Sequence, residues 1–140
     1  MVRIFEQKDK EAIKKLFSIL TGDEITDADL NNRLEYVERS SIDSLFVYEL
    51  DGFVIGLMGF RIRENIESNS RYGEISLIVV DPKNQKQGIG KQLMKFAEQL
   101  AKDSDCIGTW LVSGFGREEK AHQFYRSMRY ISTGFRFIKR

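Results

Sequence analysis

Residues 74 to 100 constrain the fold more than any other stretch. Glu74-Ile75-Ser76-Leu77-Ile78-Val79-Val80 is rich in β-branched residues and apolar on both alternating faces. That composition suits a strand covered on both sides inside a mixed sheet. Asp81-Pro82 ends the run at the chain's only proline, which has no N–H to donate. A polar loop, Lys83-Asn84-Gln85-Lys86-Gln87, then leads to Gly88-Ile89-Gly90, and Ile89, Leu93, Phe96, Ala97 and Leu100 recur at helical spacing. A helix that opens on glycines presents unpaired N–H groups with no side chain in the way, and its dipole adds partial positive charge. Such an end binds anions, most often phosphate.

The spacing of the loop narrows the ligand. A P-loop needs G-x-x-x-x-G-K-S/T, which Gly88-Ile89-Gly90-Lys91-Gln92 does not supply. A dinucleotide fingerprint needs a small residue where Leu93 stands. Gln85-Lys86-Gln87-Gly88-Ile89-Gly90 resembles the Gln/Arg-x-x-Gly-x-Gly/Ala loop of the Gcn5-related N-acetyltransferase (GNAT) superfamily, which follows a strand and a Val-Asp-Pro turn as here. In that family the loop holds the pyrophosphate of acetyl-CoA. Near the other end, Ala121, Phe124, Tyr125 and Met128 lie at helical spacing, which by itself describes a core-facing stripe. The full segment, Ala121-His122-Gln123-Phe124-Tyr125-Arg126-Ser127-Met128-Arg129-Tyr130, resembles the Ala-His-x-Phe-Tyr-x-x-x-Gly-Phe/Tyr segment of many members. Two residues depart from the pattern. Arg129 replaces the usual glycine, which puts strain into the turn before the next segment, and Glu118 replaces a coenzyme-contacting asparagine, so that contact is not carried over.

A chain of 140 residues, 41% hydrophobic, fits a single N-acetyltransferase domain over residues 1–140. The net charge of +1 is too balanced for a general nucleic-acid binder. Its distribution is uneven. Residues 21–40 hold six acids against Arg33 and Arg39, a balance of −4, whereas residues 83–102 hold five lysines against Glu98, a balance of +4 that coincides with the phosphate loop. One cysteine, Cys106, cannot form an intrachain disulfide, and with the single His122 it makes no zinc set, so no metal is expected. Neither a signal peptide nor a bilayer-length apolar run is present, so the chain reads as cytoplasmic, with no membrane partner.

Taken in order, Val2 to Phe5 reads as a strand, and Ile13, Leu16, Phe17 and Leu20 give one face of a helix ended by Gly22. Thr26-Asp27 caps a second, acidic helix running to Ser40. Ser44 to Leu50 and Phe53 to Arg61 flank Asp51-Gly52, a strong hairpin signal. Arg63 to Arg71 reads as a loop, Ile107 to Ser113 as a strand, Gly114 to Gly116 as a turn, Arg117 to Met128 as a helix, and Tyr130 to Ile138 as a strand that closes the sheet. The expected fold is α/β, a central mixed and mostly antiparallel sheet flanked by about four helices, as the resemblance also implies.

The resemblance implies roles for matching residues. The backbone of Ile78, Val79 and Val80 would pair with the pantetheine arm as an added strand does, and Lys86, Gln87, Gly88, Ile89, Gly90 and Lys91 would cradle the pyrophosphate. Tyr125 matches the tyrosine that protonates the departing thiolate; as a structural residue it would simply be a half-buried aromatic with its hydroxyl at the surface. The implied reaction moves an acetyl group to an amine. An alkylamine with a pKa of ~10.4 is neutral in about one molecule in a few thousand at pH 7, a handicap of roughly 4 to 5 kcal/mol, so a base matters more than an acid for the thiolate. Glu74, at the start of the central strand, is the best base candidate, sharing a face with Ser76, Ile78 and Val80 by simple alternation, with Glu64 and Glu67 as weaker contenders. The acidic character of the first two helices is either a solvated face or, because the family builds one wall of the acceptor site in this region, a feature that favours a cationic amine such as a polyamine, an aminoglycoside or an amino-acid-like molecule. A protein amine as acceptor, a non-catalytic acyl-CoA sensor, and a homodimer all stay open.

Overall fold

The structure is a computed structural model that describes residues 1–114 and 119–140. Five strands form one sheet in sequential order: β1 (Val2–Ile4), β2 (Asp43–Leu50), β3 (Phe53–Glu64), β4 (Arg71–Val80) and β5 (Gly108–Trp110). All neighbours pair antiparallel except β4 and β5, which run parallel. A parallel pair needs a crossover, and α3 (Ile89–Asp103) provides it. Helices α1 (Lys10–Thr21) and α2 (Asp27–Arg39) precede the central hairpin, and α4 (Glu119–Ser127) follows β5. This is the mixed α/β class read from the sequence.

Two hydrophobic clusters lie on opposite faces of the sheet. One joins α1 and α2 to Leu45, Val47, Leu57 and Val79 through Ile13, Leu16, Leu30 and Leu34. The other joins α3 to Phe46, Met58, Phe60 and Ile75 through Leu93, Met94 and Ala97, with Phe124, Tyr125 and Met128 of α4 packed against it. Local chemistry sets the joints. The hydroxyl of Thr26 accepts from the Asp29 N–H at 3.1 Å and caps α2. At the β2–β3 hairpin, Asp51 and Gly52 both have positive φ, 51° and 82°, the twist that a two-residue turn needs to match its strands.

The sheet carries a bulge that simple alternation does not foresee. Gly59 pairs with Leu77 and Phe60 with Ile75, so Ser76 is an extra residue on β4. Glu74 therefore lies on the α1/α2 face with Leu77 and Val79, while Ile75, Ile78 and Val80 belong to the α3 cluster, which corrects the expected grouping of Glu74 with Ile78 and Val80.

The end of the chain also differs from expectation. Residues 131–140 form no strand and are exposed throughout, with Ile131, Phe137 and Ile138 among the exposed apolar side chains. A strand needs an edge to pair with, and the sheet ends on this side in β5, which is three residues long rather than the seven expected from Ile107 to Ser113. The predicted loop before the central strand shrinks to residues 65–70, because β3 and β4 extend to Glu64 and from Arg71. The observed α4 starts at Glu119; the expected turn from Gly114 to Gly116, the first two residues of the expected helix and the Glu118 substitution fall largely or wholly outside the described residues.

Arg129 adopts φ 70° two residues after the end of α4, and the N–H of Tyr130 donates to the Tyr125 carbonyl at 3.0 Å, the closing bond of a Schellman cap. Glycine is the residue that enters this conformation without a Cβ penalty. Arg129→Gly is expected to stabilise the protein by about 1 kcal/mol, read as a rise of about 3 °C in melting temperature. An unchanged or lower melting temperature would show that the arginine side chain compensates for its backbone.

Candidate active site

The pairing of β4 with β5 is short. It covers Tyr72, Gly73 and Glu74 opposite Gly108, Thr109 and Trp110, and then stops, whereas on its other edge β4 pairs with β3 as far as Val80. From Ile75 onward one edge of β4 has no strand beside it among the described residues, which leaves backbone N–H and C=O groups able to accept an extended ligand as an added strand. The bulge sits next to the point where pairing ends, and a bulge bends its strand and raises the local twist. Ile78, Val79 and Val80 all lie on the open stretch.

The open edge leads into the glycine loop. Asp81 starts a 3-10 turn, Pro82–Asn84, by accepting from the Lys83 N–H at 3.0 Å, and its other oxygen meets Lys15 Nζ of α1 at 3.2 Å. The Lys83 N–H and the Lys15 ammonium hold the Asp81 carboxyl below its usual range. Lys86 and Gly88 then adopt φ 66° and 77°, and α3 begins with no side-chain cap on its N-terminus. Left-handed residues at the entry to an uncapped helix turn successive N–H groups toward one point, which suits an anion. A Cβ on Gly88 would meet nothing within 4 Å, so the glycine is required by its backbone angle and not by crowding. At Gly90 a Cβ would approach Phe124 Cζ at 3.5 Å, an ordinary contact. Tyr48 fixes the first turn of α3 from the sheet by donating to Gln92 Oε1 at 3.0 Å.

Glu74 and Trp110 are the last paired residues before the edge opens. The Glu74 side chain is 15% exposed, and Arg63 Nε lies 3.0 Å from its Oε1. That distance makes an ion pair, but the N–H is not aimed along it, so Oε1 is buried with no hydrogen bond. Buried polar atoms without partners are uncommon and ask for an explanation. The Arg63 guanidinium in turn lies 5.4 Å from the Trp110 ring centroid. Beside it, Asp43 takes both Nε and Nη2 of Arg61, at 2.7 and 3.0 Å, and the Tyr36 hydroxyl at 2.9 Å. Burial pushes the Asp43 carboxyl up, but these donors outweigh it and hold it below its usual range. This network ties α2 to the sheet.

Tyr125 is half-buried on the α3 side, 5.4 Å from the Phe124 ring and 6.5 Å from that of Tyr130. Tyr130 meets Thr109 Oγ1 at 2.7 Å and donates to Glu98 at 2.9 Å, joining β5, α3 and the end of α4; burial pushes its phenol up to about 12. Glu64 pairs with Arg71, and Glu67 is an exposed loop residue, so neither shares the Glu74 environment. His122 Nε2 is the other buried atom without a hydrogen bond among the described residues. Burial raises the Cys106 thiol, which fits a structural residue. Two recesses of about 430 and 540 Å³ lie against α1 and against the C-terminal end of α2; Lys15 and Asp81 line the first and Asp43 the second, and neither is lined by Glu74, Arg63 or Tyr125.

Sequence reasoning passed over three residues. Gly59 and Trp110 frame the bulge and the end of pairing, and Arg63 holds Glu74. A side chain at Gly59 would collide with Ser76 Oγ. The legible signal was a glycine inside an apolar strand, which marks a bulge or a close approach.

The order of strand, proline turn, glycine loop and helix on an open-edged mixed sheet describes an acetyltransferase fold. The chain belongs to the acetyltransferase (GNAT) family, whose model matches residues 10–130. It is 33% identical over 89 residues to the aminoalkylphosphonate N-acetyltransferase of Salmonella typhimurium (strain LT2), a match covering 64% of this chain and 57% of that protein. Among solved structures it is similar to a GNAT family acetyltransferase from Staphylococcus aureus, at TM-score 0.83 and 26% identity over 100% of this chain and 97% of the other. It is also similar in fold to aminoglycoside N-acetyltransferase AAC(6')-Iy in complex with CoA, at TM-score 0.86 and 18% identity over 100% and 93%. Among the described residues, no helix is long and apolar enough to cross a membrane.

If the uncapped end of α3 receives a pyrophosphate, acetyl-CoA at 100 times its Kd raises stability by ~2.7 kcal/mol, a clear thermal shift. Gly88→Val, which places a β-branched residue at a positive φ, is expected to abolish that shift in a protein that still folds. A shift of the same size in the variant would remove the loop from the binding site.

Proposed function

We propose that this protein transfers the acetyl group of acetyl-CoA to the primary amine of a small molecule, by direct attack with both substrates bound. One observation carries the reading above the others: the half-open edge of β4 runs from the largely buried Glu74 carboxylate at its closed end to the uncapped N-terminus of α3 at the other. A linear acyl thioester whose pantetheine arm leads into a pyrophosphate matches such a track. The names of the matched Salmonella protein and of the CoA-bound aminoglycoside enzyme fit a small-molecule amine as acceptor.

Each residue has a definable task. The backbone of Ile78, Val79 and Val80 pairs with the pantetheine arm, and Lys86 to Lys91 hold the pyrophosphate through main-chain N–H groups, aided by two lysines whose attraction salt screens. Free N–H groups of β4 polarise the thioester carbonyl. Glu74 takes a proton from the incoming ammonium, directly or through water, so that the neutral nitrogen attacks the carbonyl carbon. As the carbon–sulfur bond breaks, Tyr125 gives its phenolic proton to the thiolate. Holding two substrates in line supplies much of the remaining acceleration.

Two substitutions separate these tasks. Tyr125→Phe keeps the ring and its packing, so acetyl-CoA affinity is expected to hold while turnover falls by up to about 100-fold; undiminished turnover would return Tyr125 to a packing role. Glu74→Gln removes the base with little change of shape. Its turnover is expected to drop at pH 7 and to recover partly toward pH 10, where about a quarter of the amine is already neutral. A loss of equal factor at every pH would make Glu74 a positioning residue.

A further inference from the structure

The geometry points to an acceptor that carries an anionic group beside its amine, received by the guanidinium of Arg63. This rests on the acetyltransfer reading and names the acceptor class. The arginines of the sheet differ in what remains of their donors. Arg3 meets Asp9 with both terminal nitrogens and also bonds to Glu49; Arg61 meets both oxygens of Asp43; Arg71 engages Glu64 and the Ser104 carbonyl. Arg63 has only the Nε contact to Glu74, and its two terminal nitrogens have no hydrogen-bond acceptor among the described residues. Its plane is nevertheless held, by the Trp110 ring on one side and the Glu74 carboxylate at its edge. A fixed guanidinium with a vacant terminal fork is suited to a planar carboxylate or a phosphonate, which it meets with paired N–H bonds.

Arg63, opposite Tyr72, faces the same side of the sheet as Glu74 and meets it at the last residue of β4 that has β5 beside it. Arg63 engages the buried Oε1 of Glu74, and the carboxylate keeps 15% of its side chain exposed, so its other oxygen is the one left to accept from an ammonium while the fork holds the anion a few bonds away. A zwitterionic amine matches both charges. A polyamine or polycationic sugar would bring a second positive charge against Arg63, which disfavours it.

The test compares 2-aminoethylphosphonate, β-alanine, propylamine and putrescine as acceptors, with thiol release giving kcat/KM for each. The two anionic amines are expected to exceed propylamine by about tenfold or more, with putrescine lowest; the better of the two identifies the anion as phosphonate or carboxylate. In Arg63→Gln the ratio of anionic to neutral amine is expected to fall by about 10- to 100-fold, the worth of charge-assisted hydrogen bonds, carried mainly by KM. Arg63→Lys, which keeps the charge and loses the fork, is expected to fall between. Because a ratio cancels general damage to the enzyme, an unchanged ratio in Arg63→Gln overturns the assignment, as does a wild type that prefers propylamine or putrescine. If no amine releases thiol, the acetyltransfer reading fails separately, and calorimetry on the CoA-loaded protein decides the site. Binding of 2-aminoethylphosphonate at least tenfold tighter than propylamine, and lost in Arg63→Gln, upholds the anion fork; equal or absent binding of the two overturns it.

Discussion

The single extra residue at Ser76 determines how the rest of the structure is arranged around β4. Without it, Glu74 would point into the α3 core, where an unpaired carboxylate has no place, and Ile75 would leave that core. With it, the strand keeps an apolar residue under α3 on both sides of the bulge and turns its carboxylate to the opposite face. The bulge is itself made possible across the ladder: Gly59 has no side chain, so Ser76 can occupy the space a Cβ would need. Two residues upstream the pairing with β5 ends, and the edge that follows has no strand beside it among the described residues. One local irregularity thus sets the facing of the carboxylate and adjoins the opening of the track.

The helices are held to this strand by charge pairs placed at its two ends. Asp81, at the exit of β4, joins the turn before the glycine loop to Lys15 of α1. Asp43, Arg61 and Tyr36 join α2 to the other end of the sheet, next to Glu74. Ion pairs of this partly exposed kind contribute little net stability, about 0 to 1 kcal/mol each, so their consequence here is geometric. They fix the loop and the acidic helix relative to the strand, while the two hydrophobic clusters supply the driving force for packing. On the α3 side the half-buried Tyr130 does the same for α4, its hydroxyl linking Thr109 and Glu98 and so placing Tyr125 one turn away.

Much of this was readable one residue after another. The β-branched run, the proline stop, the positive-φ glycine and the amphipathic α3 each follow from short-range rules, and so do the Asp51-Gly52 hairpin and the Thr26 cap, because the atoms involved lie within a few residues of each other. The strained turn at Arg129 was legible for the same reason. Less legible were features fixed by a partner far along the chain. Whether Glu74 faces α2 or α3 depends on Gly59; whether residues after Trp110 form a strand depends on β4 still being alongside; whether residues 131–140 pair depends on the length of β5.

The sequence by itself therefore determined the class of fold and the position of the glycine loop, and it offered Glu74 and Tyr125 as candidates for moving protons, since spacing and side-chain chemistry are local properties. Tertiary structure alone decided the environment of those residues. Arg63, Glu74 and Trp110 lie on three different strands, and only the register of the sheet brings a stacked guanidinium against a buried carboxylate. No periodicity encodes such a meeting, because register is a property of paired strands and a shift of one residue sends every side chain to the other face.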